Sequence, residues 1–423
     1  MSDHSNKEKL LVKNRVLFLS YNGLLEPILS SQAIPYLKEL AKKNFEFVLV
    51  TYEKKKDLQN AGKDKINMIK DELRPLGIEW RYLRYHKNPK IFSTLFDMLV
   101  GTLYCLYLIP AKRIKLVHLR GITPGSIMIF LSKVLKVKIL FDMRGLLAEE
   151  MAAGGLWEEG GVQFKLVKTA EKSLLKIADA VTVLTKKHLQ LNKDLDYLKN
   201  RDIPMDVVPC CVDIDKFNYD VNSDLSFKKK LGMEGSFILM YQGKIGTFYL
   251  MDHMLDIYKN MLEIIPNAIF FILTTDCTDP VSKAAILKGI KEDSIRVAKN
   301  IEFELMPKYL AIADAGIFFI NPYKKIGSSP IKMGEFLACG VPVIINPGVG
   351  DTEEIVLNNK VGVIVRQFDE MNYRSSIKEL ILLKQDGEAL RKRCRDTAAG
   401  YLSLEEGVKR YSDIYETLTQ EKL

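Results

Sequence analysis

The stretch GSSPIKMGEFLACGVPVIINPGVGDTEE, residues 327–354, sets a lysine and a glutamate, Lys332 and Glu335, three positions apart in a segment otherwise built for burial. On a helix that spacing puts both side chains on one side, while Ile331, Gly334 and Ala338 fall on another. Ser328, Ser329 and Pro330 are residue types that open helices. A helix opening there offers unpaired backbone N–H groups and the positive end of its dipole, which suits a phosphate. A cation beside that end is electrostatically unhelpful unless an anion sits between them. The next segment, VPVIIN, is uniformly apolar and reads as an interior strand, which aims the helix mouth at the strand ends rather than at open solvent. The competing interpretation is a surface salt bridge of little energetic weight.

Other loops carry related chemistry. In NPGVGDTEE, Gly348 and Gly350 follow that strand, and Asp351 and Thr352 open the next helix. Glycines let a backbone approach a ligand closely. MYQGKIGTFY (240–249) gives a strand, then Gly243, Lys244 and Gly246, with Lys244 placed as a point charge for a diphosphate. A solvated loop lysine satisfies the same spacing, and the pattern lacks the G-x-G-x-x-G of dinucleotide sites. Near the start, SYNGLLEPILSSQ (20–32) places Gly23 after a strand, with Ser30, Ser31 and Gln32 following. FDMRGLLAEEMAAGGLWEEGG (141–161) gathers Asp142, Arg144, Glu149, Glu150 and Trp157 in what reads as a long, glycine-hinged loop. Arg144 suits a carboxylate or phosphate; an internal Asp142–Arg144 pair is the alternative.

Strand-like and helix-like segments alternate from end to end, which places these loops on parallel sheets flanked by helices. Apolar runs at 15–21, 46–52, 78–85, 115–120, 138–143 and 180–185 form a first series. Runs at 237–243, 268–275, 315–321, 341–346 and 360–366 form a second. The expected fold is α/β, two Rossmann-like doubly wound domains facing a cleft, where strand C-termini meet ligands. An aperiodic segment, VVPCCVDIDKFNYDVNSDLS (207–226), marks the boundary, giving domains at 1–212 and 213–400. Residues 403–418 have helical periodicity with Val408, Tyr411, Ile414 and Tyr415 on one side.

A 423-residue chain that is 47% hydrophobic and 27% charged is a folded protein of more than one domain. Its net charge of +9 favours anionic partners, but the cations are too evenly spread for a nucleic-acid surface. Six scattered cysteines and five scattered histidines have no metal-ligand spacing, so no metal site is expected and the thiols read as reduced. The polar opening MSDHSNKEKLLVKN lacks the apolar core of a signal peptide, pointing to a cytoplasmic location. Residues 91–110, IFSTLFDMLVGTLYCLYLIP, are long enough to cross a bilayer. Asp97 near the middle and the flanking strands favour instead a crossover helix, buried or lying on a membrane surface.

Taken together, YNGLLEPILSSQAIPYLKEL, FDMRG, VVPCCVDIDKF and above all SSPIKMGEFLACGVPVIINPGVGDTEEIV resemble the retaining family 4 group of GT-B fold glycosyltransferases, the glycosyl transferases group 1. The resemblance implies a donor-binding second domain and a final helix, 401–423, packing back on the first. It makes Glu335 the second glutamate of the E-x7-E motif, a ribose contact, and Lys244 a diphosphate contact. Gly23 and the turn Gly348–Thr352 correspond to loops beside the donor phosphates and sugar. There are departures. Gly327 stands where the first glutamate belongs, and Tyr249 where a second basic residue is usual, a charge Lys332 is placed to supply.

The implied reaction moves a sugar from a nucleoside diphosphate, UDP favoured over GDP, to a hydroxyl of a saccharide or lipid-linked saccharide, as in cell-surface polysaccharide assembly. No cofactor or metal is called for: Lys244, Lys332, Ser328, Ser329, Gly243 and the Gly348–Gly350 amides would meet the diphosphate, and Arg144 the acceptor side. The helix at 91–110 with Lys112, Arg113 and Lys115 would touch an anionic membrane on its inner face. A nucleotide-sugar epimerase or a non-catalytic nucleotide-sugar-binding protein of the same fold remain as alternatives.

Overall fold

The computed structural model describes residues 14–420 apart from Pro89 and Thr247. The polar opening read for its lack of a leader lies outside the described residues up to position 13. The first sheet has seven parallel strands: β1 (Asn14–Ser20), β2 (Phe45–Lys54), β3 (Ile78–Tyr85), β4 (Leu116–Arg120), β5 (Lys138–Met143), β6 (Ala180–Val183) and β7 (Met205–Val207). The second has six: β8 (Phe237–Gln242), β9 (Ala268–Thr274), β10 (Ile295–Lys299), β11 (Ala315–Phe318), β12 (Val343–Ile345) and β13 (Gly362–Ile364). Their orders, β3-β2-β1-β4-β5-β6-β7 and β10-β9-β8-β11-β12-β13, are both doubly wound. Each sheet therefore reverses at one point, between β1 and β4 and between β8 and β11, where such folds bind ligands outside the strand C-termini.

The inner strands are mostly buried, Leu116–Arg120 and Ala180–Val183 without a break, as helices on both faces require. Two strands carry no apolar run and escape the sequence reading: β7, three residues long, and β10, IRVAK, half-exposed with Arg296 and Lys299. Both lie at sheet edges, where short or charged strands discourage pairing with other chains. The expected long loop at 141–161 is partly helix, Leu147–Ala153. Its LAEEMAA composition is helix-forming, and Glu149 and Glu150 lie in the first turn, where the dipole favours them.

The chain crosses between the two sheets at Val212 and again at Ser403, and the crossings bond to each other. The Val212 N–H donates to the Leu402 carbonyl (2.7 Å), and the Leu404 N–H to the Val212 carbonyl (2.9 Å). Ser403 breaks the run between helices Glu388–Leu402 and Leu404–Thr419, and its hydroxyl caps the second by accepting from the Glu406 N–H. That last helix buries Val408, Tyr411, Ile414 and Tyr415 in the core of the first sheet, beside Phe18, Phe47 and Leu116.

Candidate active site

The helix Ile331–Ala338 lies over the reversal point of the second sheet. Gly316 on β11 lets it come close: a Cβ there would lie 2.5 Å from the Phe336 ring. Lys332 to Ala338 are all buried, including the lysine and the glutamate. Pro330 occupies the capping position, so neither serine caps the helix, which opens at Ile331.

Lys332 and Glu335 do not pair with each other. The Lys332 ammonium faces the rings of Tyr249 at 3.7 Å, Tyr241 at 4.6 Å and Phe318 at 6.0 Å. Its Nζ has no hydrogen-bond partner among the described residues. Tyr241 is on β8 and Phe318 ends β11, so the charge sits at the sheet reversal itself. Burial pushes its pKa from 10.5 down to about 7, against the pull of the Glu335 charge. Glu335 accepts a hydrogen bond from Gln242 Nε2 at 2.6 Å. Burial raises its carboxyl to about 7, opposed by that bond and by Lys332. Gly243, with φ of +124°, keeps the approach open: a Cβ there would come 2.9 Å from the Lys332 Nζ. A buried cation with three aromatic neighbours, no hydrogen-bond partner among the described residues and a glycine at its mouth is an arrangement that can take up an anion. Lys244 follows on the exposed loop.

The neighbouring residues form the seam between the two halves. Ser328 Oγ donates to Glu150 Oε1 (3.4 Å), and Ser329 Oγ accepts from the Cys210 N–H (3.2 Å). The Asp351 carboxylate takes the N–H groups of Lys186 (2.6 Å) and Lys187 (3.3 Å), opening the helix Lys186–Lys193 of the first half. The Thr352 hydroxyl turns inward to the Val349 carbonyl (2.7 Å). Gly350, at φ +47°, passes so close to Ser328 that a Cβ would lie 2.1 Å from its carbonyl oxygen, and Gly348 packs on Pro322. This turn is therefore committed to holding the seam. A cavity of about 610 Å³ runs along the other side, lined by Ser30, Ser31, Lys216, Phe303 and Glu335; that is a size that accepts a small molecule.

At the first sheet's reversal, Gly23 packs on Glu53, where a Cβ would lie 2.3 Å from Oε2. That buried carboxylate accepts from the Leu24 N–H (2.5 Å), the Leu25 N–H (3.3 Å) and Thr51 Oγ1 (2.6 Å), and so shapes the loop after β1. Arg144 belongs to a buried cluster. Its Nη1 stands 3.6 Å from Asp142 Oδ1 and its Nη2 reaches Cys210 Sγ, while Arg120 Nη1 reaches Asp142 Oδ2 at 3.2 Å. Burial alone would raise the Asp142 pKa; Arg144, His118 and Arg120 hold it far below the usual carboxylate range. The Arg144 guanidinium, 15% exposed, is thus an internal partner first, the alternative its spacing left open.

Residues 225–400 match the family model of glycosyl transferases group 1. No curated protein sequence matches the chain. Among solved structures, it superposes on sucrose-phosphate synthase from Thermosynechococcus elongatus at 15% identity, covering 96% of this chain and 99% of that one with a TM-score of 0.69. A glycosyltransferase from Rickettsia africae gives 14%, 97% and 100%, and 0.72. HepE of Anabaena, solved in complex with UDP and glucose, gives 12%, 95% and 99%, and 0.67. The chain has the GT-B fold, with these superpositions covering 95–97% of it.

Against that fold, the departure at Gly327 acquires a physical cause. A Cβ on Gly327 would lie 2.9 Å from His188 Nδ1. His188 is fully buried, neither ring nitrogen has a partner among the described residues, and burial pushes its pKa down to about 4. The imidazole therefore fills the room a glutamate at 327 would need. The sequence reading missed His188, Gln242, Glu53 and the bridging role of Glu150, none of which sits in a recognisable motif; only the adjacency of Gln242 to Gly243 gave a signal.

Proposed function

We propose that the chain is a retaining glycosyltransferase that moves a sugar from a nucleoside diphosphate sugar, UDP-linked by preference, to a hydroxyl of a saccharide or lipid-linked saccharide. The observation that carries this reading is the Lys332 ammonium: buried, without a hydrogen-bond partner among the described residues, and at the sheet reversal that the group 1 match covers. The HepE structure holding UDP and glucose favours the same donor class.

In this reading the diphosphate lies over Gly243 between Lys332 and Lys244, and the ribose hydroxyls meet Glu335, which Gln242 holds in place. The nucleoside occupies the cavity edged by Phe303 and Glu335. As the bond from the anomeric carbon to the β-phosphate oxygen breaks, the negative charge grows on the diphosphate, where the two lysines stabilise it. The acceptor oxygen bonds to the same face of the carbon, and its proton passes to the departing phosphate oxygen. In this reading the two lysines supply the positive charge the leaving diphosphate needs. Arg144 and the Asp142 cluster hold the acceptor-side loops in register.

The test is product analysis. UDP-sugars incubated with the protein and saccharide or lipid-linked acceptors should release UDP and give one product with the donor's anomeric configuration by NMR. An inverted anomer refutes retention. Donor turned into an isomeric nucleotide sugar without acceptor identifies an epimerase instead.

A further inference from the structure

The helix Lys90–Ala111, the crossover from β3 to β4, is held to the protein by one side only. On that side Asp97 is buried and accepts from the Tyr21 hydroxyl (2.9 Å), the His86 N–H (3.0 Å) and, at 2.6 Å, His86 Nδ1. The Tyr52 hydroxyl donates to the Asp97 carbonyl (2.9 Å), and Gly101 makes room for it, since a Cβ there would lie 2.0 Å from that oxygen. Cys105, Leu108 and Ile109 complete the buried side.

The opposite side is a continuous apolar ridge in solvent. Phe92, Leu95, Phe96, Leu99, Leu103 and Tyr107 recur at helical spacing and are 52–74% exposed. At 1.5 Å per residue the ridge is about 22 Å long. Phe130 and Val134, each 68% exposed, stand on and just beyond the next helix, Ile122–Leu131, which touches this one where Ile127 meets Gly101. Scattered apolar side chains on a surface mean nothing, but a patch of this length marks an interface.

The charges say with what. From residue 98 to residue 141 the sequence holds seven cations, Lys112, Arg113, Lys115, Arg120, Lys133, Lys136 and Lys138, and no acid. Arg113, Lys133 and Lys136 are exposed at the far ends of the two helices, and Lys87 precedes the first. A second copy seated on the ridge would bring these like charges together. A bilayer with anionic headgroups offers apolar depth beneath and negative charge at the rim, which suits an amphipathic helix lying in the plane. Crossing the bilayer would require tearing Asp97 from its hydrogen bonds.

We infer that this ridge docks the chain on an anionic membrane surface. Tyr21, two residues before Gly23, anchors the helix beside the loop at the first sheet's reversal, so the docked helix sets the cleft's acceptor side near the lipid interface. The inference does not depend on the transferase reading, because binding to vesicles and binding of UDP are measured separately on one sample.

The experiment is flotation of the full chain with phosphatidylcholine vesicles, with and without 30% phosphatidylglycerol, beside gel filtration without lipid. Binding is expected only to the anionic vesicles, falling about fivefold for each of Arg113→Gln and Lys136→Gln and weakening at high salt. Leu99→Ser with Leu103→Ser should lower it at least about tenfold while leaving the melting temperature unchanged. Three results would overturn the inference: no vesicle binding, binding untouched by the leucine substitutions, or a ridge-dependent dimer that ignores lipid.

Discussion

Replacing Lys332 by methionine should stabilise the unliganded protein and weaken its grip on nucleotide, two effects of opposite sign from one side chain. The lysine pKa of about 7 instead of 10.5 reflects burial, only partly opposed by the Glu335 charge. At 1.36 kcal/mol per pH unit, that gap sets roughly 5 kcal/mol against the charged form. A lysine depressed in the fold costs stability increasingly as pH falls from 10.5 to about 7, and the cost is constant below. Methionine removes it while keeping an unbranched stem against Tyr241 and Tyr249. Part is returned because Glu335 loses the Lys332 charge that lowers its pKa, so we expect a net gain of about 2 kcal/mol at neutral pH. For a domain of this size that raises the melting temperature by about 4–8 °C. With nucleotide present the ammonium would have made a charge-assisted contact worth about 1.5–3 kcal/mol, so the Kd for UDP should rise about 10- to 100-fold. Thermal denaturation with calorimetric titration reads both quantities. A variant that melts lower than wild type and binds UDP equally well would refute the reasoning.

Other outcomes follow from the seam and the first-sheet loop. Gly327→Glu restores the glutamate of the related motif but drives a Cβ to within 2.9 Å of His188 Nδ1; it should destabilise by about 1–3 kcal/mol, and His188→Ala in the same chain should recover most of that in a melting experiment. His188, depressed from 6.5 to about 4, costs stability as pH falls through that window. Against wild type, His188→Leu should therefore gain up to about 3 kcal/mol on going from pH 7 to pH 4, as urea titrations at the two pH values would measure. Glu53→Ala strands the Leu24 and Leu25 amides and should cost about 2–4 kcal/mol, read as a lowered urea midpoint.

The inner strands were legible because each is a run of apolar residues long enough to be buried on both faces, such as KILFDM at 138–143. The edge strands β3 and β13 were legible too, but β7 and β10 were not, since β7 is three residues long and β10 is broken by Arg296 and Lys299. The placing of Lys332 at the strand ends, on a helix turned away from open solvent, was legible from helix spacing and the apolar strand that follows. Its three aromatic neighbours were not, because Tyr241, Tyr249 and Phe318 converge only when β8, the loop after it and β11 are side by side. Asp351 shows the reverse case. Its position after Gly350 suggested a ligand loop, yet its carboxylate caps a helix 165 residues earlier in the chain.

The central claim is that a nucleoside diphosphate lies between Lys332 and Glu335. The most direct test is a melting panel of the wild-type chain and Glu335→Ala with UDP, GDP, ADP and CDP. Ligand at a hundred times its Kd adds about 2.7 kcal/mol. A shift with UDP alone in the wild type, lost in Glu335→Ala, is the result predicted. No shift with any of the four nucleotides would contradict the account.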